Sequence, residues 1–281
     1  MNSTNRYSLF VAIIVALGGF LMGFDASVIS GVVGFIETEF ALTRIQLGWS
    51  VASLTLTATL AMMVAGPISD RFGRRPVLMA AAVLFAISAV YSALAPDFIS
   101  LVIARMIGGF GVGAALIIAP MYIAEIAPPA KRGRMVSFNQ FNIVLGISVA
   151  FFSNYLILGL GQSELSWAQT LGMDVWTWRW MLGVEALPAI FYFIALFFVP
   201  ESPRWLIMHG REAESVDILA RATGPEKAAE AIEDVKATLR AEASEADIRA
   251  IGEMARGIGL QISGVCSFLF WPYSLTHQDP Q

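Results

Sequence analysis

Three ionisable side chains stand inside long apolar runs of this 281-residue chain: Asp25, Arg105 and Glu185. Charges in such surroundings cost several kcal/mol and mark function by default. An arginine stays charged whatever surrounds it, so in a low dielectric it requires a counter-ion. Two carboxylates around one guanidinium make a proton switch. The acid paired with Arg105 stays ionised, and the other, desolvated and unpaired, is free to bind a proton. A blander reading of the same three residues is a static salt bridge that locks helices together. For Glu185 alone, snorkelling to the nearest interface is a further possibility.

The elements that must carry these residues follow from composition. The chain is 57% hydrophobic and only 14% charged, with a mean hydropathy of +0.67. Globular domains carry roughly 25% charged residues, so much of this chain does not meet water. About 20 apolar residues cross roughly 30 Å of hydrocarbon, and six runs qualify: 9–36, 47–68, 76–95, 98–126, 136–160 and 180–199. All are predicted helices, because lipid offers backbone groups no partner and nothing alternates like a barrel strand. The first run is too long for a signal peptide. One cysteine, Cys266, excludes an internal disulfide framework, and two distant histidines, His209 and His277, argue against a metal cluster.

Basic residues near the span ends set the orientation. Arg71, Arg74 and Arg75 lie between spans two and three, Lys131, Arg132 and Arg134 between spans four and five, and Arg204 after span six. The opposite connections carry Glu37, Glu39, Asp97, Glu164 and Asp174 against Arg44 and Arg179. The N-terminus and the segment after span six are therefore expected in the cytoplasm. At about 1.5 Å rise per residue, Asp25 lies roughly 16 Å below the outer end of its span, and Arg105 and Glu185 roughly 10 Å below theirs. The three share one level and can meet.

Between spans two and three, Gly66–Pro76 reads as a charged hairpin, GPISDRFGRRP, with Gly73 available for a positive φ. Its Asp70, Arg71, Arg74 and Arg75 are expected at helix ends. After Val199 the composition changes. Ser202-Pro203 is a helix start, and Gly210 and Gly224-Pro225 are stop signals, so two or three short amphipathic helices are predicted over about Ser202–Ala250. The division expected is a six-helix bundle (1–200), a cytoplasmic helical linker (201–254) and a truncated seventh span with a polar tail (255–281). Spans one to three and four to six each open with a glycine-rich helix bearing one charge, the form of a transporter repeat.

Other features have simpler readings. Gly108, Gly109, Gly111 and Gly113 echo a dinucleotide fingerprint but follow no strand, so close helix packing explains them. Trp176, Trp178 and Trp180 around Arg179 suit an interfacial aromatic belt. No serine or cysteine nucleophile sits with a base, which disfavours an intramembrane hydrolase. Gln140 and Asn142, with Asn139 and Asn154, either bond neighbouring helices or line a wet cavity. Amides are what a neutral polyhydroxy ligand requires.

Several ordered segments together carry a resemblance: GFDASVISG (Gly23–Gly31), GPISDRFGRRP, Arg105–Arg134, VSFNQFN (Val136–Asn142), WRWMLGVEALPA (Trp178–Ala189) and PESPRW (Pro200–Trp205). Over about Phe20–Gly210 the chain resembles the sugar porter family of the major facilitator superfamily. The resemblance implies an all-α polytopic membrane protein: twelve helices in two bundles, with a neutral sugar or polyol held between them. It further implies that Asp25, Arg105 and Glu185 couple transport to protons, and that Gln140, with Asn142 beside it, meets the substrate. Asp70, Arg71, Arg74, Arg75, Glu125, Arg134, Glu201 and Arg204 match a cytoplasmic charge latch.

Ile147 and Met22 replace a second glutamine and a sugar-lining aromatic common in that family, which leaves the solute open. Gln261–Pro272 resembles the start of the seventh span, with Cys266 for an asparagine. The expectation is a proton symporter in the plasma (inner) membrane, represented by its N-terminal half and missing a C-terminal six-helix bundle. No enzyme activity, cofactor, metal or nucleic-acid partner is expected. A passive uniporter of the same fold and a non-transporting membrane sensor or remnant are the alternatives.

Overall fold

The computed structural model describes residues 3–128, 131–224 and 228–241. Among them every regular element is a helix: α1 (Ser3–Glu39), α2 (Arg44–Phe72), α3 (Arg74–Ala93), α4 (Phe98–Ile126), α5 (Arg132–Gly161), α6 (Ser166–Thr170), α7 (Thr177–Gly183), α8 (Ala186–Ala195), α9 (Pro203–Met208) and α10 (Glu212–Thr223). Six stretches are long and apolar enough to cross a membrane, the sixth being Thr177–Phe198, which joins α7, α8 and a closing 3-10 turn. The proposed seventh span and polar tail, 255–281, lie outside the described residues.

The spans match the six apolar runs, but the ends differ where charges meet water. The hairpin expected over Gly66–Pro76 is nearly all helix. α2 continues through Asp70 and Arg71 to Phe72, and α3 starts at Arg74. Gly73 alone makes the reversal, at φ +102°. Pro76 falls in the first turn of α3, where its missing N–H is no loss. At the other end of α2, Thr43 and Gln46 form a reciprocal capping box.

Small residues bring the helices into contact. α1 packs against α5 and α4, α2 against α4, and α3 against α4, α7 and α8. A Cβ at Gly23 would fall on the Ile143 carbonyl, and one at Gly146 on the Phe20 carbonyl, so the α1 and α5 backbones touch there. Asn154 crosses the same seam, its amide donating to the Val28 carbonyl at 2.9 Å. The compact unit extends from Met1 to Ala229 and so includes α9 and α10 with the spans. α9 begins as expected, with Ser202 as N-cap and Pro203 in the first turn. The second unit, Glu230–Gln281, is helical over 230–241.

Candidate functional site

Mid-bundle, α1 and α4 bring the first two predicted charges together. Arg105 donates through Nη1 to Asp25 Oδ1, and Nη2 reaches the Asp25 carbonyl at 3.4 Å. Their side chains are 2% and 1% exposed, so each charge depends on the other. Glu185 is equally buried. It stands where α7 gives way to α8, with Val184 and Glu185 in a turn and the Glu185 N–H only 3.4 Å from the Leu182 carbonyl. Its carboxylate interacts electrostatically with both Asp25 and Arg105 but bonds to neither.

This cluster is under-satisfied. Asp25 Oδ2, Arg105 Nε and Glu185 Oε1 are buried with no hydrogen-bond partner, although buried polar atoms are nearly always paired. One guanidinium thus faces two carboxylates and holds one of them.

The amides of α5 are separated. Gln140 is exposed on the open face of the helix, with Phe141, Val144 and Phe152. Asn142 is half-buried and donates to its own helix at the Phe138 carbonyl, 2.8 Å away. Asn139 is buried against Gly19 of α1.

At the end of the bundle where α2 meets α3, several of the charged residues expected to act together are in contact. Buried Arg74 grips Glu125 in a two-pronged contact (3.0 and 3.2 Å) and Asp70 at 2.7 Å. Glu201 accepts the N–H groups of Arg74 (2.9 Å) and Arg75 (3.2 Å) at the start of α3. Partial burial pushes its carboxyl up, against the opposing pull of the Ser202, Arg75 and Arg74 N–H donors and the Arg74 charge. The Arg75 guanidinium donates to the Leu196 and Phe197 carbonyls at the end of span six. Arg71 lies over the Phe72 ring, and Arg134 is exposed at the start of α5 without an ion-pair partner among the described residues. Arg204 is half-buried in α9.

Sequence reasoning missed several participants. Ser202 donates to Glu125, and the Trp205 indole donates to the Asp70 carbonyl at 2.9 Å. Both lie in PESPRW, a segment already noted for its charges. At the opposite end of the bundle Arg179 makes contacts beyond those of an aromatic belt. It lies over the Trp176 and Trp178 rings, donates to the Ala93 and Ala95 carbonyls at the end of α3, and pairs with Glu39 of α1 at 3.1 Å.

A six-span bundle with a buried acid–arginine pair at mid-depth and charge-capped ends has the architecture of a major facilitator transporter. The family model for "Sugar (and other) transporter" matches residues 11–272, and the chain belongs to this family, the sugar porters. The arabinose-proton symporter of Bacillus subtilis is 39% identical over 236 residues, 84% of this chain and 49% of that protein. The D-xylose-proton symporter of Escherichia coli is 37% identical over 264 residues, 84% of this chain and 52% of that protein. The chain thus spans about half the length of these relatives. The partially occluded, inward-open structure of the E. coli xylose transporter XylE superposes with a TM-score of 0.77 at 37% identity, covering 84% of this chain and 60% of that one.

Proposed function

We propose that this chain forms the proton-coupling bundle of a secondary transporter that moves a sugar or polyol together with protons. The observation that carries the reading is the buried Asp25–Arg105 pair with an unbonded Glu185 in electrostatic range. A proton arriving at Asp25 cancels the charge that holds Arg105. The freed guanidinium then takes Glu185 as counter-ion, and the helices that carry these groups change their relative preference. That difference in pairing is what couples a proton to a conformational step. The relatives that bear the names of arabinose-proton and xylose-proton symporters support the solute class.

Gln140 and Asn142 are the amides offered to the solute. The open face of α5 is the side on which a second six-helix bundle would sit, since alternating access works between two such bodies. Asp70, Arg74, Arg75, Glu125 and Glu201 form the bundle's own share of a cytoplasmic latch, and Arg71, Arg134 and Arg204 are its further members. The N-terminus lies in the cytoplasm and the bundle in the plasma membrane, as the distribution of basic residues supports.

Joining this chain to the second half of the B. subtilis arabinose symporter and reconstituting the chimera tests the reading. Under an inward proton gradient it accumulates labelled sugar and alkalinises the medium. Asp25→Asn abolishes accumulation but leaves solute exchange. Unchanged accumulation by that variant removes Asp25 from the coupling, and uptake without alkalinisation would point to passive uniport.

A further inference from the structure

Asp25 Oδ2, the oxygen that Arg105 does not hold, has no hydrogen-bond partner although it is fully buried. It is not, however, surrounded by hydrocarbon alone. A Cβ built on Gly108 of α4 would lie 3.2 Å from Asp25 Oδ2 and 2.5 Å from Ser88 Oγ. The two oxygens therefore converge on the point where a side chain at residue 108 would begin, and they leave no room there for a methyl group. Ser88 is buried in α3, and its hydroxyl proton is committed to the Ala104 carbonyl of α4 at 2.8 Å. Ionised, the carboxylate has no proton to offer the hydroxyl, and the hydroxyl proton is already directed to the Ala104 carbonyl. No hydrogen bond joins the two oxygens, and Oδ2 is left without a partner.

One proton changes the balance. A serine hydroxyl donates once and accepts up to twice, and a protonated carboxyl gains a donor. We propose that Ser88 is the acceptor that receives Asp25 in its protonated state. The proton lands on Oδ2 and is donated to Ser88 Oγ, while the Ser88 proton stays on the Ala104 carbonyl. The new O–H is the only covalent bond made, and Oδ1 releases Arg105 to Glu185 as the carboxyl loses its charge. Ser88 is a positioning residue that gives the neutral acid a defined partner, so protonation replaces an ion pair with a hydrogen bond and does not strand a buried donor. The inference rests on the reading of Asp25 as proton carrier. At this depth the charged groups that face Asp25 are Arg105 from α4 and Glu185 from the α7–α8 turn. Among the described residues α2, α3 and α5 bring no charged side chain to that level.

Infrared difference spectra, acid minus neutral, of the full 281-residue chain in phosphatidylcholine bilayers read this directly. A protonated-carboxyl band that disappears in Asp25→Asn belongs to Asp25. In Ser88→Ala that band moves to higher wavenumber, toward a carboxyl without a partner, and in Ser88→Thr it returns to the original position. Ser88→Cys, close to serine in volume and a weaker acceptor, gives a smaller shift in the same direction and serves if the alanine variant does not fold. An unmoved band in both the alanine and cysteine variants overturns the inference, even if both are less heat-stable from loss of the Ala104 tie. Absence of any Asp25-dependent band would instead overturn the proton-carrier reading, and this inference with it.

Discussion

Arg75 and Glu201 cap each other's helices. The Glu201 carboxylate receives the Arg75 N–H at the start of α3, and the Arg75 guanidinium covers the Leu196 and Phe197 carbonyls a few residues before Glu201. Each side chain satisfies backbone groups that a helix end leaves open, and each carries the charge that the helix dipole favours there. Span three and span six are thereby fastened at one point without a direct ion pair.

This geometry has a pH signature. Burial holds the folded-state Glu201 carboxyl above its ordinary value of 4.5, so the folded chain binds this proton more readily than the unfolded one. The associated stability is fully present below the ordinary value and is lost as pH rises through the raised one. Thermal unfolding of wild type and Glu201→Gln, measured across pH 4 to about 7, should therefore converge in acid. The glutamine variant gains relative to wild type as pH rises, and a gap independent of pH would contradict the assignment.

Arg74 and Asp70 form an ion pair, yet their substitution should have unequal effects. Arg74 is 3% exposed and Glu125 9%, whereas Asp70 is 52% exposed. Arg74→Ala strands the Glu125 charge and should cost about 3–5 kcal/mol. Asp70→Asn removes only a half-exposed partner and should cost less than about 1 kcal/mol. Chemical unfolding in detergent compares them, and equal losses would show that Glu125 does not depend on Arg74.

The α1–α5 seam gives a steric prediction. At Gly23 an added methyl meets the Ile143 carbonyl, whereas at Gly34 of the same helix nothing lies within 4 Å. Gly23→Ala should destabilise by about 1–3 kcal/mol through forced separation of the helices. Gly34→Ala should be neutral or stabilise by up to about 1 kcal/mol from helix propensity. A melting series on the two variants separates the outcomes.

Much of the architecture was legible in one dimension. Six apolar runs name six spans because lipid leaves the backbone no alternative to the helix. Asp25, Arg105 and Glu185 stood out for a related reason, since an ionisable group in such a run needs an explanation. Counting rise per residue put all three at one depth, and Gly73 was identifiable as the turn. Loop lengths were less legible. Asp70 and Arg71 look like loop residues by polarity, but beyond the bilayer a helix end can carry charge and persist.

The pairings themselves were decided only by packing. Composition leaves Arg105 two carboxylates to choose from, and the contact with Asp25 depends on how α1 lies against α4, 80 residues away in sequence. The approach of Asp25 and Ser88 to one point depends on Gly108 facing α3 as well as α1; its glycine pattern signals close packing but not the partners. The sequence by itself determined that the described residues carry six apolar spans with three charges inside them, through the solvent preference of each residue taken locally. The tertiary structure decided which oxygen holds the arginine and which is left without a partner, because those are set by close contacts between helices distant in the chain.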